Sequence, residues 1–247
     1  MPPQLAIQVE NLNFSYPGNI VALDGVSFAV CQGESVGLVG PNGAGKTTLF
    51  LCLAGVLRNT TGQVRVGDLD PSDAAQRRLL PARVGIVFQN SDDQLFQTTV
   101  LDDVAFGPLN LGLGPAEVKQ LVTEALARVG MAGFEQRAPH HLSGGEKRRA
   151  ALAGVLAMRP EILLLDEPTM FLDPRGRREF IRLLHDLPGT RIIAAHDLEL
   201  ILETCGRVLV LDHARLIADG PPREIMAQAE LMEAHGLEVP HSLRPRP

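Results

Sequence analysis

The sequence predicts an α/β chain with a doubly wound parallel core, an N-terminal antiparallel β subdomain and an inserted α-helical subdomain. Three observations predict it. Short alternating segments crowd the first part of the chain, and continuous apolar runs recur through the rest. One amphipathic stretch without strand signals interrupts them.

Taken in order, segments 6–9, 12–16, 26–30 and 63–66 alternate in polarity and are separated by Gly and Asn turns, as antiparallel strands are. Runs 35–39, 84–88, 162–165 and 191–195 are apolar enough to be buried parallel strands. Residues 47–57, directly after the first of these runs, read as a helix. Pro115 at a first helical position opens a helix over 115–129, with Val118, Leu121, Val122, Ala125 and Leu126 on one face. Strands at 207–211 and 215–218 precede short C-terminal helices. The expectation is one domain over 4–240, with core and β subdomain in 4–88 and 160–240 and the helical subdomain in 89–159. A disordered tail is expected over 241–247.

A chain of 247 residues, 45% hydrophobic, can bury a sizeable core. Its net charge of −6 argues against a general nucleic-acid binder, which needs an excess of Lys and Arg over phosphates. Three cysteines without metal-ligand spacing read as reduced thiols of a cytosolic protein. The first residues lack the charged and apolar regions of a signal peptide. The longest apolar run, 150–158, is far short of the roughly 20 residues that span a bilayer. Work at a membrane would have to pass through a partner.

The run Gly40-Pro41-Asn42-Gly43-Ala44-Gly45-Lys46-Thr47 fits the phosphate-binding pattern G-x-x-x-x-G-K-[ST], between an expected strand and an expected helix. Its glycines let backbone N–H groups turn inward around phosphates at the positive end of a helix. Lys46 would reach the β- and γ-phosphates and the Thr47 hydroxyl would ligate Mg²⁺, with Thr48 beside it. The core is thereby a P-loop NTPase (RecA-like) core, and ATP and Mg²⁺ are the expected ligands. The run 162–165 ends in Asp166 and Glu167. Asp166 can hold Mg²⁺ directly or through water, and Glu167 can polarise the water attacking the γ-phosphorus.

Leu142-Ser143-Gly144-Gly145-Glu146 is a second anion-site candidate at a helix start, and equally a capping box with Ser143 as N-cap and Glu146 as its partner. With the phosphate loop, this run resembles the signature of the ATP-binding-cassette (ABC) transporter family. The resemblance extends from Ala6 to about Val239. It implies that Ser143, Gly144 and Gly145 complete the γ-phosphate pocket of a second cassette in a head-to-tail dimer of identical chains. It further implies that Tyr16 stacks on adenine, and that Gln89 senses Mg²⁺ and couples to a membrane subunit. Asp173 would communicate across the dimer and His196 would hydrogen-bond the γ-phosphate. By themselves, Tyr16 and His196 would read as packing residues. Met170-Phe171 departs from the family, whose members carry small side chains before the matching Leu-Asp pair.

Segments 88–96, 103–108, 175–178 and 196–200 resemble the ATPases of energy-coupling-factor importers, particularly those for cobalt and nickel. That resemblance implies a place at the cytoplasmic face of a bacterial membrane, beneath an integral coupling protein and a substrate-binding membrane subunit. Leu95, Phe96, Val100, Val104 and Phe106 could wall a groove for a partner helix, or could simply pack the helical subdomain. The adjacent pair His140-His141 converges poorly on one ion and is no metal site. Two other readings stay open: a cassette of a different importer or exporter, and a soluble cassette acting on nucleic acid or the ribosome. The acidic balance and the lack of a heptad run between Gln89 and Ser143 count against the latter.

Overall fold

A computed structural model describes residues 4–58 and 61–244. The first half contains β1 (Leu5–Tyr16), β2 (Ile20–Cys31), β3 (Ser35–Val39), α1 (Lys46–Leu53), β4 (Thr61–Val66), α2 (Ala74–Arg77), β5 (Val84–Val87), α3 (Val100–Asn110) and α4 (Pro115–Arg128). The second half contains α5 (Gly144–Leu156), β6 (Ile162–Asp166), α6 (Pro174–Asp186), β7 (Thr190–Ala194), α7 (Leu198–Thr204), β8 (Arg207–Asp212), β9 (Arg215–Gly220), α8 (Pro222–Ile225) and α9 (Ala229–Ala234). These elements form two compact units. One comprises the chain up to Leu80 and from Pro188 onward, the other Pro81–Leu187.

In the first unit β1 pairs antiparallel with β2 on one side and β4 on the other. Segments 6–9 and 12–16, read as two strands, are one strand bent at a bulge. Asn11 takes φ 47° there, and its N–H donates to Ser27 Oγ at 2.8 Å instead of to the ladder. Because the β1–β2 ladder runs out to Tyr16 opposite Ile20, β2 begins earlier than the expected 26. The second sheet sets β3 between β7 and β8, both parallel to it, and β9 closes the edge antiparallel to β8. Val36, Leu38, Ile192, Ile193, Val208 and Val210 are all fully buried in it. That burial explains why these strands read as unbroken apolar runs.

Helix α1 stops at Leu53, short of the expected 57. Gly55 at φ 70° lets its own N–H reach Cys52 O (3.0 Å) and the Val56 N–H reach Leu51 O (2.9 Å), which is a Schellman ending. Cys52 is buried on this helix, and burial pushes its thiol up to about 12. Residues 241–244, expected in the disordered tail, are ordered. A 3₁₀ turn over His241–Leu243 is tied to α7 by Ser242, whose N–H and hydroxyl donate to the Glu199 carboxylate at 2.9 and 2.7 Å. The rest of that tail, 245–247, lies outside the described residues.

In the second unit β5 and β6 run parallel, Val84 opposite Ile162 through Val87 opposite Leu165. Helices α3, α4 and α5 pack together beside them. The expected insert 89–159 lies within this unit, which also holds β5, β6 and α6. Helix α4 has Pro115 at its start and buries Val118, Leu121, Val122, Ala125 and Leu126, the face read from the sequence. Among the described residues no helix is long and apolar enough to cross a membrane.

Strand β5 approaches α5 closely at Gly85, where an added Cβ would lie 2.1 Å from Val155 Cγ1. Gly85→Ala is therefore expected to lower stability by about 1–3 kcal/mol through overpacking. Urea denaturation reads this as a lower midpoint at unchanged slope; an unshifted midpoint would show that α5 can move away freely.

Candidate functional site

The phosphate loop follows β3 and His196 follows β7, so both stand at the C-terminal ends of neighbouring parallel strands, where open α/β sheets bind ligands. The ring Nε2 of His196 lies 2.9 Å from Asn42 Oδ1, which brings the histidine expected to bond the γ-phosphate to the loop itself. Gly40, Gly43 and Gly45 all have positive φ. At two of them no side chain fits: a Cβ would lie 1.9 Å from Leu211 O at Gly40 and 2.3 Å from Ala22 O at Gly45. Lys46 is buried, its ammonium donating to Gly40 O (2.7 Å) and Pro41 O (3.1 Å), so its charge is held over the loop's mouth. Ala44 is buried beneath the loop, and Thr47 is exposed in the first turn of α1. Tyr16 lies within 3.1 Å of Thr48 Oγ1 through its hydroxyl and packs edge-on against Phe14. The ring is 37% exposed, and thus stands at the surface beside α1.

The second unit gathers the remaining candidates. Gln89 follows β5, while Asp166 ends β6 and Glu167 follows it, again at the C-terminal ends of paired parallel strands. Asp166 and Glu167 are both buried carboxyls, and Glu167 sits in the left-handed region at φ 47°. Ser143 is the N-cap of α5 in a complete capping box. Its N–H and hydroxyl both donate to Glu146 Oε2 at 2.7 Å, and its oxygen accepts from the Glu146 N–H at 3.4 Å. These bonds hold the Glu146 carboxyl below its ordinary range, so the stabilisation they bring is full above that range and is lost as acid protonates the group. Gly144 and Gly145 form the first turn. Asp173 caps α6, with Oδ1 accepting from the Gly176 N–H at 2.6 Å. A pocket of about 180 Å³ is lined by Gln89, Asp92, Gly144, Lys147, Met170 and Phe171, which joins the Gln89 loop, the Ser143 turn and the turn before Asp173.

The ABC transporter family model matches residues 23–170. The chain belongs to that family. It is 50% identical to the energy-coupling factor transporter ATP-binding protein EcfA of Methanothermobacter thermautotrophicus, over 96% of this chain and 77% of that protein. Its structure is similar to that of cbiO1 from Clostridium perfringens, a part of the ABC transporter complex cbiONQ, with a TM-score of 0.82, 37% identity and 94% of each chain covered. It is also similar to an ATP-binding cassette solved as a dimer in a post-hydrolysis state with ADP and Pi, at a TM-score of 0.79 and 25% identity over 87% of this chain and 98% of that one. The chain is thus an ATP-binding, ATP-hydrolysing subunit of an ABC transporter, with the P-loop fold of a cassette and its antiparallel β subdomain.

The Thr47 hydroxyl in the first unit and the Asp166 carboxylate in the second are each oxygen donors of the hard type that suits Mg²⁺. Among the described residues no group of three or more His, Cys, Asp or Glu could hold a metal ion. The His140 and His141 rings meet edge-on, 4.2 Å apart between centroids.

One residue of the cassette escaped the sequence reading. Arg148 on α5 is 3% exposed, and its two terminal nitrogens donate to Phe88 O and Gln89 O, each at 2.5 Å. This fork fastens the helix that begins at Ser143 to the point where β5 becomes the Gln89 loop. Burial pulls the guanidinium below its ordinary range, and the charges of Asp166 and Glu167 act in the opposite direction. Its basic neighbours Lys147 and Arg149 mask Arg148 in the sequence. The available signal was its spacing, which puts it on one helical stripe with Ala151, Leu152 and Val155, all buried.

Arg148→Met should leave both carbonyls without their donor and destabilise the cassette by about 2–4 kcal/mol. Arg148→Lys should recover only part of this, because one ammonium cannot reproduce a planar fork. Denaturant midpoints of both variants within error of the parent would show that the fork adds nothing.

Proposed function

We propose that this cassette powers an energy-coupling-factor importer for cobalt or nickel ions, as a head-to-tail dimer beneath an integral coupling protein and a substrate-binding membrane subunit. The observation that carries the proposal is the likeness to cbiO1 across nearly all of both chains, together with half-identity to an EcfA protein. The cobalt and nickel assignment rests on the subfamily resemblance of segments 88–96, 103–108, 175–178 and 196–200.

In this reading ATP lies on the phosphate loop, its adenine against Tyr16 and its phosphates in the N–H groups of residues 40–48. Lys46 and His196 bind the γ-phosphate from one copy, and the Ser143-Gly144-Gly145 turn binds it from the other. Mg²⁺, held by Thr47 and Asp166 with Gln89 sensing it, would neutralise charge developing on the phosphoryl oxygens. Glu167 orients the attacking water as general base. Glu167 is buried, which shields the reacting water from bulk solvent. Asp173 relays the state of one site to the other. The dimeric cassette with ADP and Pi supports the pairing.

The expected groove residues divide into two groups. Leu95, Val100 and Val104 are buried, so they pack the helical subdomain. Phe96 and Phe106 are 60% and 44% exposed and touch edge-to-face at 4.9 Å, with Leu109 also exposed. Buried Asp103 holds Phe96 in place, its Oδ1 accepting from the Phe96 and Gln97 N–H groups at 2.9 and 3.0 Å. An aromatic pair fixed in this way suits the apolar face of a partner helix.

Glu167→Gln is expected to slow turnover by about 10²–10⁴ while sparing ATP binding. Size-exclusion chromatography of that variant with Mg-ATP should show a dimer, and rapid hydrolysis would remove Glu167 from its role. Phe96→Asp is expected to hydrolyse ATP alone but to lose its membrane subunits on purification; normal co-purification would reject the docking surface. The cargo is tested by co-expression with neighbouring membrane proteins and uptake of radioactive cobalt, nickel and a vitamin panel. Vitamin uptake without metal uptake would move the cassette to another importer.

A further inference from the structure

Met170 and Phe171 lie in the turn between Glu167 and Asp173, and the structure gives Met170 a specific contact. Its sulfur lies 2.9 Å from Gln89 Nε2 and accepts from that amide. The turn that carries Met170 is held by its own backbone. The Met170 N–H donates to Glu167 O at 3.1 Å, and the Leu172 N–H donates to Thr169 O at 3.2 Å. Two residues of this turn, Glu167 and Phe171, occupy the left-handed region at φ 47° and 63°. Phe171 is 83% exposed, whereas Met170 is partly buried against the pocket it shares with Gln89 and Gly144.

The Gln89 side chain is exposed, so without a partner it would sample many rotamers. A thioether offers only a weak acceptor and no donor. It can therefore take the amide NH₂ but not the amide oxygen, and holding Nε2 on sulfur turns Oε1 the other way. A serine at this position, able to donate or accept, would not choose between the two orientations.

We propose that Met170 is a positioning residue for Gln89. It fixes the orientation of the amide so that Oε1 is the end presented for ligation, and it ties the turn after Glu167 to the loop after β5. The functional consequence rests on the reading of Gln89 as a participant in hydrolysis and coupling; the contact itself does not.

The test uses Met170→Leu, which keeps the volume and removes the acceptor, and Met170→Ala, which removes both. The side-chain amide signal of Gln89 in a ¹H–¹⁵N spectrum is assigned by its loss in Gln89→Ala. Both Met170 variants should shift it towards the positions of solvated glutamine amides, with backbone signals distant from the two loops unmoved. An unshifted amide signal overturns the proposal. In ATPase assays, Met170→Leu should lower kcat about 3–10-fold at unchanged KM, and by less than about 1.5-fold in a Gln89→Ala background. Equal losses in both backgrounds also overturn it. Should Gln89→Ala hydrolyse ATP at the parental rate, the functional reading of Gln89 falls, while the amide signal still decides whether Met170 orients it.

Discussion

Two backbone carbonyls set the shape of the phosphate loop. Leu211 O and Ala22 O lie where side chains of residues 40 and 45 would be, so the loop between β3 and α1 is pressed against neighbouring strands with no room for Cβ atoms. That close approach is possible only for glycine, and the first turn of α1 follows directly on it. The Lys46 ammonium then has the Gly40 and Pro41 carbonyls to rest on, and His196 meets Asn42 on the loop's rim. Every role assigned to the nucleotide rests on this backbone contact more than on any one charged group.

The second unit solves a similar problem with charge instead of close approach. A buried guanidinium is tolerated only if its donors are satisfied, and Arg148 meets that condition by taking two consecutive carbonyls at the end of β5. The loop carrying Gln89 consequently starts from a fixed point on the helix that carries Ser143. Met170 approaches the same glutamine from the turn that follows Glu167. Gln89 thus has its backbone held from α5 and its side chain held from that turn, so displacement of either one is felt at the same amide.

The parts of this arrangement that were legible in the sequence share a cause: each is a local pattern. The glycine spacing of residues 40–45, the apolar runs of β3, β5, β6 and β7, and the stripe on α4 all follow from conformational or burial rules that act within a few residues. What stayed hidden depends on residues far apart in sequence. The bend of β1 at Asn11 is stabilised by Ser27 on β2, and the start of the Gln89 loop by Arg148 on α5. Arg148 was hidden by its neighbours, since the charges of Lys147 and Arg149 disguise a residue whose helical phase is apolar. Val100 and Val104 look as suited to a groove wall as Phe106, because amphipathic spacing specifies a helix face without specifying what covers it.

Three motif residues also do ordinary structural work, and that overlap bears on how substitutions there must be interpreted. Ser143, Asp173 and Asp197 are the N-caps of α5, α6 and α7, each accepting a backbone N–H in the first turn. Removing an N-cap costs about 0.5–2 kcal/mol of stability whatever else the residue does. Loss of activity on replacing Ser143 or Asp173 is consequently no proof of contact with nucleotide or with a second copy, since an unwound first turn would move Gly144, Gly145 or Gly176 as well. Asparagine at 173 retains a capping oxygen and removes the charge, and threonine at 143 retains the hydroxyl. Substitutions of this kind separate the two roles, because the cap needs only an acceptor whereas a phosphate or a partner chain responds to the donor, the charge and the space left around it.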